Sequence, residues 1–293
     1  MSLTDAEAVQ PGAAIRRERV KARPGARLTA GEVISLAVLT LLALSAIVPG
    51  LFTPVDPLAI SPTEAFQGPR PGHWFGTDES GRDVFARTIH GARPSLLIGV
   101  SATLIGMVLA LILGVLGGLG AKPVDYTVTR VGEVLFALPG LLLALVFIAI
   151  VGPGIVTSTI AVGISAAPGY ARIIRSQIRA VRGAPYVEAA TVLGRSRFTI
   201  LRRHILPNAI APVFVLATLG VGQAIVWASS LSYLGLGAVP PAAEWGAMLS
   251  AGRNYISNAW WLTVFPGLFI VLAAGAATSL GRSMQARTRQ VEQ

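Results

Sequence analysis

The chain has 293 residues, of which 53% are hydrophobic and 13% charged, against about 25% charged in an ordinary soluble domain. That leaves too few polar side chains to cover a water-soluble globule of this size, and apolar runs of about 20 residues are expected to cross a bilayer as helices. Cysteine is absent and histidine occurs three times, which excludes disulfide staples, thiolate metal sites and cysteine nucleophiles, while the net charge of +10 gains meaning only from where the basic residues stand.

Residues 1–31 form a basic amino-terminal segment with Arg16, Arg17, Arg19, Lys21, Arg23 and Arg27. They lead into a first predicted transmembrane helix at 32–51, apolar from Val33 to Leu51. A cleaved signal peptide is the rival reading, with Ala43-Leu44-Ser45 as the processing site, but the run is longer than the roughly 7–15 residues of a signal core. Residues 52–94 make a polar loop rich in Pro and Gly, and residues 95–280 hold five more spans. The second span, Ser95–Gly120, carries Gly99, Gly106, Gly114, Gly117, Gly118 and Gly120, a density that predicts close helix packing.

A polar stretch from Lys122 to Arg130 precedes the third span, Val134–Val151, in which Leu138-Pro139-Gly140 predicts a kink. After a turn at Gly152-Pro153-Gly154, the fourth span runs from Ile155 to about Tyr170 and continues as a helix with Arg172, Arg175, Arg179 and Arg182 on one face. That face fits either lipid phosphates or a docked protein. Gly183-Ala184-Pro185 ends the helix. The fifth span is Ile210–Leu236, a loop follows through Trp260 and Trp261, the sixth span is Leu262–Leu280, and residues 281–293 form a basic tail. The predicted fold is all-α, a polytopic membrane protein of about six crossings.

With the amino terminus inside, nineteen of the 24 Lys and Arg residues fall on the cytoplasmic side, and Arg70, Arg82, Arg87, Arg93 and Arg253 fall outside. The positive-inside rule therefore predicts both termini in the cytoplasm, and it places Trp245, Trp260 and Trp261 in an outer interfacial belt. The basic residues are thus read as a membrane signature, with no nucleic-acid partner expected. Apart from Glu133, the spans hold no ionisable group of the kind that binds a coupling ion at membrane depth. There is no Gly-x-x-x-x-Gly-Lys-Ser/Thr phosphate loop, and no catalytic set can be argued from spacing. The expectation is a non-catalytic chain with no cofactor of its own, so that any driven transport draws its energy from another chain. In the outer loop, Asp78, Glu79, Arg82 and Asp83 form the one dense charged cluster, readable on chemistry alone as a solvated loop or a helix cap.

The stretch Tyr186-Val187-Glu188-Ala189-Ala190, then Gly194, then Ile205-Leu206-Pro207 resembles the cytoplasmic EAA loop of binding-protein-dependent ABC importer permeases. A second resemblance lies in His73-Trp74-Phe75-Gly76-Thr77-Asp78-Glu79-Ser80-Gly81-Arg82-Asp83, which is similar to the Gly-Thr-Asp-x-x-Gly-Arg-Asp signature of the dipeptide/oligopeptide permease family, C-type subunit. A third runs through Leu234-Gly235-Leu236-Gly237, Pro240-Pro241, Trp245-Gly246, Met248-Leu249 and Gly252-Arg253. Thr191 stands where many such permeases carry arginine, and the tail lacks their acidic ending.

This resemblance implies a type I importer permease that forms half of a translocation pathway in the cell (plasma or inner) membrane. It implies four kinds of partner: a homologous second permease, two ATPase domains or one fused ATPase chain, an extracytoplasmic substrate-binding protein and membrane lipid. ATP and magnesium would be held by the ATPase subunits. The coupling loop, about 183–207, would comprise Tyr186, Glu188, Ala189, Ala190, Leu193, Gly194, Arg195, Arg197, Ile205, Leu206 and Pro207. The extracytoplasmic motif would comprise Gly76, Thr77, Asp78, Gly81, Arg82 and Asp83, with Asp78, Arg82 and Asp83 expected to hold a cap over the pathway. Expected cargo is di- or oligopeptide, with nickel, haem or glutathione as alternatives on the same scaffold. A non-transporting membrane scaffold, a membrane enzyme and a secondary carrier rank below it.

Overall fold

The computed structural model describes residues 28–292, with the backbone alone for 210–212 and 288–292. Arg16 to Arg27 of the basic amino-terminal segment lie outside the described residues. α1 (Ala30–Ile47) opens on a capping box, in which Glu32 Oε2 accepts the Thr29 N–H at 2.7 Å and the Thr29 hydroxyl accepts the Glu32 N–H. α2 (Val84–Leu119) begins well ahead of the apolar run at Ser95, because Asp83 caps it by accepting the Ala86 N–H at 2.7 Å.

The apolar run Val134–Val151 is not one kinked helix. α3 (Lys122–Phe136) and α4 (Gly140–Val151) meet at 91°. Pro139 has no N–H to donate and disfavours helical backbone at Leu138, so the first helix stops and a second starts. The stretch Lys122–Arg130, expected as a polar connection, is the first part of α3. α5 (Ile155–Arg182) is continuous through Pro168, and α6 (Pro185–Val192), α7 (Arg197–Ile200) and a π turn (Leu201–Ile205) follow. α8 (Leu206–Tyr233), α9 (Trp245–Gly252) and α10 (Trp261–Glu292) complete the chain.

Among the described residues, α1, α2, α8 and α10 are each long and apolar enough to cross a membrane, and the broken pair α3–α4 adds a fifth if it counts as one span. α5, the remaining expected crossing, is not among them, although no charged residue occurs from Ile155 to Ala171 and it lies along the membrane-spanning α2. The glycines allow that contact. A Cβ on Gly106 would sit 2.8 Å from the Gly163 carbonyl oxygen, so the two backbones touch where any side chain would hold them apart.

Pairs along this contact run in the same sense, Gly106 with Gly163, Gly114 with Ile174 and Gly118 with Ile178, so α2 and α5 are parallel. α8 runs against both, with Ile225 beside Gly99 and Gly220 beside Thr103. α10 runs against α8, and α1 runs against α10, with Glu32 ion-paired to Arg287 at 2.6 Å. The start of α1, the ends of α2, α5 and α10 and the start of α8 therefore share one face with residues 183–207.

At the opposite face, α9 was not foreseen, and it changes where two tryptophans lie. Trp245 and Trp261, expected in an interfacial belt, are buried at 0% and 7% exposure. Their indole N–H groups donate to the carbonyls of Thr88 at 2.9 Å and Thr77 at 3.1 Å, which removes the reason for a tryptophan to seek the headgroup layer. Trp260 remains exposed.

Candidate functional site

The loop after α5 is built as a projecting bend. Gly183 ends α5, Pro185 starts α6, and Gly194 follows it with φ of +73°, a backbone that glycine accepts without steric cost. The Arg195 N–H donates to the Ala190 carbonyl at 3.1 Å and the Gly194 N–H to the Thr191 carbonyl at 3.0 Å, the Schellman pair that terminates a helix. Ser196 then caps α7 by accepting the Thr199 N–H.

Burial splits the expected loop residues into two sets. Val187, Ala190, Ile200 and Ile205 face inward against Ala171, Ile174 and Ile178 of α5, so Ala190 and Ile205 hold the bend on its helix instead of forming its tip. Tyr186, Glu188, Ala189, Leu193, Gly194, Arg195, Arg197 and Pro207 are exposed, and Leu206 is half-buried. Val192, not singled out in the sequence, is the most exposed large apolar side chain of the tip at 87%, beside Leu193 at 78%. Two neighbouring aliphatic side chains held in the open by an ordered bend are suited to a partner's groove.

At the opposite face, the motif residues gather into an ordered cap. Thr77 is fully buried; its hydroxyl donates to the Glu64 carbonyl at 2.5 Å and accepts the Gln67 N–H at 2.9 Å. Asp78 Oδ1 accepts the N–H groups of Ser80 and Arg82, both at 2.9 Å, while its Oδ2 lies 3.6 Å from Arg82 and 3.5 Å from Arg87. Asp83 caps α2 with one oxygen and meets His73 Nδ1 at 2.7 Å with the other. Gly76 and Gly81 both take φ of +75°, and a Cβ on Gly81 would fall 1.8 Å from the Ser61 carbonyl oxygen. Of the two chemical readings, helix cap holds for Asp83, and Asp78 is a buried loop acceptor.

Two charged residues at this face were missed. Arg87 is buried and reaches the carbonyls of Pro57 and Pro241, each at 3.3 Å, so it ties three loop segments together. The signal was present in its spacing, one helical turn after Asp83. Glu244, 1% exposed, caps α9 by accepting the N–H groups of Gly246 and Ala247 at 2.9 Å, and it accepts the Ser95 hydroxyl at 3.3 Å.

The basic face of α5 also resolves. Asp125 in the first turn of α3 pairs with Arg175 at 2.5 Å and with Arg179, so these two guanidiniums are engaged within the chain. Arg172 and Arg182 have no ion pair among the described residues.

Residues 102–290 match the family described as binding-protein-dependent transport system inner membrane component. The chain belongs to this family. It is 37% identical over 253 residues to the dipeptide transport system permease protein DppC of Alkalihalophilus pseudofirmus, covering 86% of this chain and 83% of that protein. It is 40% identical over 219 residues to the glutathione transport system permease protein GsiD of Pectobacterium atrosepticum, covering 75% and 73%. Among solved structures, an amino acid ABC transporter chain superposes with a TM-score of 0.56 at 20% identity, covering 69% of this chain and 94% of that one, a likeness of fold. The two loops described above stand in this permease at opposite ends of a multi-pass membrane bundle.

Proposed function

We propose that this permease subunit forms half of the pathway of an ATP-driven peptide importer and receives the ATPase stroke through the loop 183–207. The observation that carries this reading is the tip of that loop, where Val192 and Leu193 stand exposed at the end of a Schellman-terminated helix joined to α5 by Gly183 and Ala184 alone. In this reading the loop face is cytoplasmic, consistent with its density of arginines, and the start of α1 and the end of α10 lie on the same side. Partners are a homologous second permease, ATPase subunits that hold ATP and magnesium, and an extracytoplasmic binding protein that meets the ordered cap around Asp78, Arg82 and Asp83. The permease itself makes and breaks no covalent bond.

Peptide cargo is supported by relatives named for dipeptide and glutathione transport, glutathione being itself a tripeptide. The test is uptake of labelled dialanine and of labelled glutathione by proteoliposomes holding the assembled transporter. Uptake that needs ATP and the binding protein and persists when the proton gradient is collapsed supports the proposal. Uptake driven by the gradient without ATP refutes it.

A further inference from the structure

The broken span and α5 are fastened at two heights by unlike contacts. Toward the cap, α4 sets Ala144 and Ile148 against Ala161 and Val162. Toward the loop 183–207, α3 meets α5 through Asp125, whose carboxylate pairs with Arg175 at 2.5 Å and with Arg179. Between these heights each element carries a proline that removes a helical hydrogen bond. α3 and α4 part around Pro139, and α5 carries Pro168, whose missing N–H leaves the Ile164 carbonyl without its helical donor. The end of α3 and the Pro168 level of α5 face each other, since a Cβ on Gly169 would lie 3.3 Å from Cε2 of Phe136.

Apolar packing between α3 and α5 is thin. A cavity of about 140 Å³ separates them, lined by Val128, Gly132, Phe136, Pro168, Ala171 and Arg172, among others. Between α3 and α5 the ion pairs are therefore the principal fastening at this end, α3 resting otherwise on α2 where Val128 meets Gly117, and the cavity gives α3 room to swing. The pair with Arg175 is also sheltered, with the Asp125 side chain 23% exposed and that of Arg175 19%, while Arg179 is half exposed. Just past Arg179, α5 ends at Gly183 and passes into α6, so any displacement of the loop reaches α5 first.

We infer that Asp125 is the positioning residue that makes α3 travel with the loop end of α5. A stroke received by α6 is thereby turned, about the level of Pro139 and Pro168, into movement of the broken span. This rests on the coupling role proposed above for the loop. Without the carboxylate, α5 would still be displaced, but α3 would stay behind in the space the cavity provides.

The chain has no native cysteine, so introduced thiols are the only ones it carries for spin labels. One pair joins Leu41→Cys on α1 to Tyr126→Cys on α3, and a second joins Leu41→Cys to Arg182→Cys at the loop end of α5, all three sites being exposed. Distances are read by pulsed EPR in the assembled transporter, before and after trapping with ATP and vanadate. With Asp125 intact, or replaced as Asp125→Glu, both distances shift on trapping. With Asp125→Asn, or with Arg175→Gln and Arg179→Gln together, the Arg182 shift persists and the Tyr126 shift is lost.

A Tyr126 shift that survives both neutralising variants overturns the inference while leaving the coupling loop in place. An Arg182 label that never moves while Asp125, Arg175 and Arg179 are intact removes the coupling reading, and the inference with it. If neither neutralising variant assembles, the ion pairs are a folding contact and the inference fails on that ground.

Discussion

Glu244→Ala should destabilise the outer half of the bundle well beyond the loss of an exposed helix cap. The carboxylate is 1% exposed and accepts the N–H groups of Gly246 and Ala247 at 2.9 Å and the Ser95 hydroxyl at 3.3 Å. Removing it strands two buried backbone donors. Each such donor costs about 1–3 kcal/mol, or about 2–6 kcal/mol for the pair, whereas an ordinary N-cap substitution costs about 0.5–2 kcal/mol. Glu244→Gln keeps one acceptor oxygen and should lose about half as much.

Ser95→Ala strands the Trp245 N–H, which Ser95 Oγ accepts at 3.1 Å, and because the two side chains share one network their losses should not add. The assay is SDS unfolding of the purified chain in mixed micelles, with hydrogen exchange following residues 244–252. A loss below about 1 kcal/mol in Glu244→Ala, with protection of α9 unchanged, would refute the assignment of Glu244 as the buried keystone of that helix.

Three further outcomes follow from close approaches and from the bend. Gly106→Val places carbon where the Gly163 carbonyl oxygen stands 2.8 Å from a Cβ, so α2 and α5 must separate; a loss of at least about 1–3 kcal/mol should appear in the same SDS titration. Gly81→Ala drives a Cβ into the Ser61 carbonyl and should open the cap to limited proteolysis near residues 61–81 while the protein stays inserted. A Cβ at position 194 meets nothing within 4 Å, but Gly194→Trp must hold φ of +73°, at a cost of about 1–2 kcal/mol, so insertion should survive while ATP-dependent uptake falls. Equal uptake by Gly194→Trp, or by Glu188→Lys on the same exposed surface, would remove the loop from the mechanism.

Features set by local chemistry were legible in the residues. The two short helices around Gly194 follow from a glycine beside helix formers, and the α2–α5 contact follows from glycines recurring on an apolar run. What escaped depends on partners distant in the chain. Residues 122–130 looked like a polar connection because Asp125 finds its guanidiniums on α5, far along the sequence. The arginine face of α5 fits lipid or protein equally by its spacing for the same reason, its partner Asp125 standing on α3.

The break at Pro139 reads locally as a kink; only the packing of Phe136 near Gly169 on one side and Ile148 near Val162 on the other shows a right-angled change of direction. Trp245 and Trp261 mimic an interfacial belt until the carbonyls of Thr88 and Thr77 are seen to accept their N–H groups. Arg87 and Glu244 were passed over because a charge inside a folded loop resembles a solvated one until its acceptors and donors are in place.

The most direct test of the transporter reading uses the absence of native cysteine. Single variants Val192→Cys at the loop tip and Trp74→Cys at the cap, both exposed, are treated in intact cells with a membrane-impermeant maleimide. In permeabilised cells the Val192 thiol is then offered a short cross-linker to the ATPase chain. The account predicts labelling of Trp74→Cys alone from outside, and a cross-link from Val192→Cys that changes with bound nucleotide. Labelling of Val192→Cys from outside, or its failure to reach the ATPase in every nucleotide state, would contradict it.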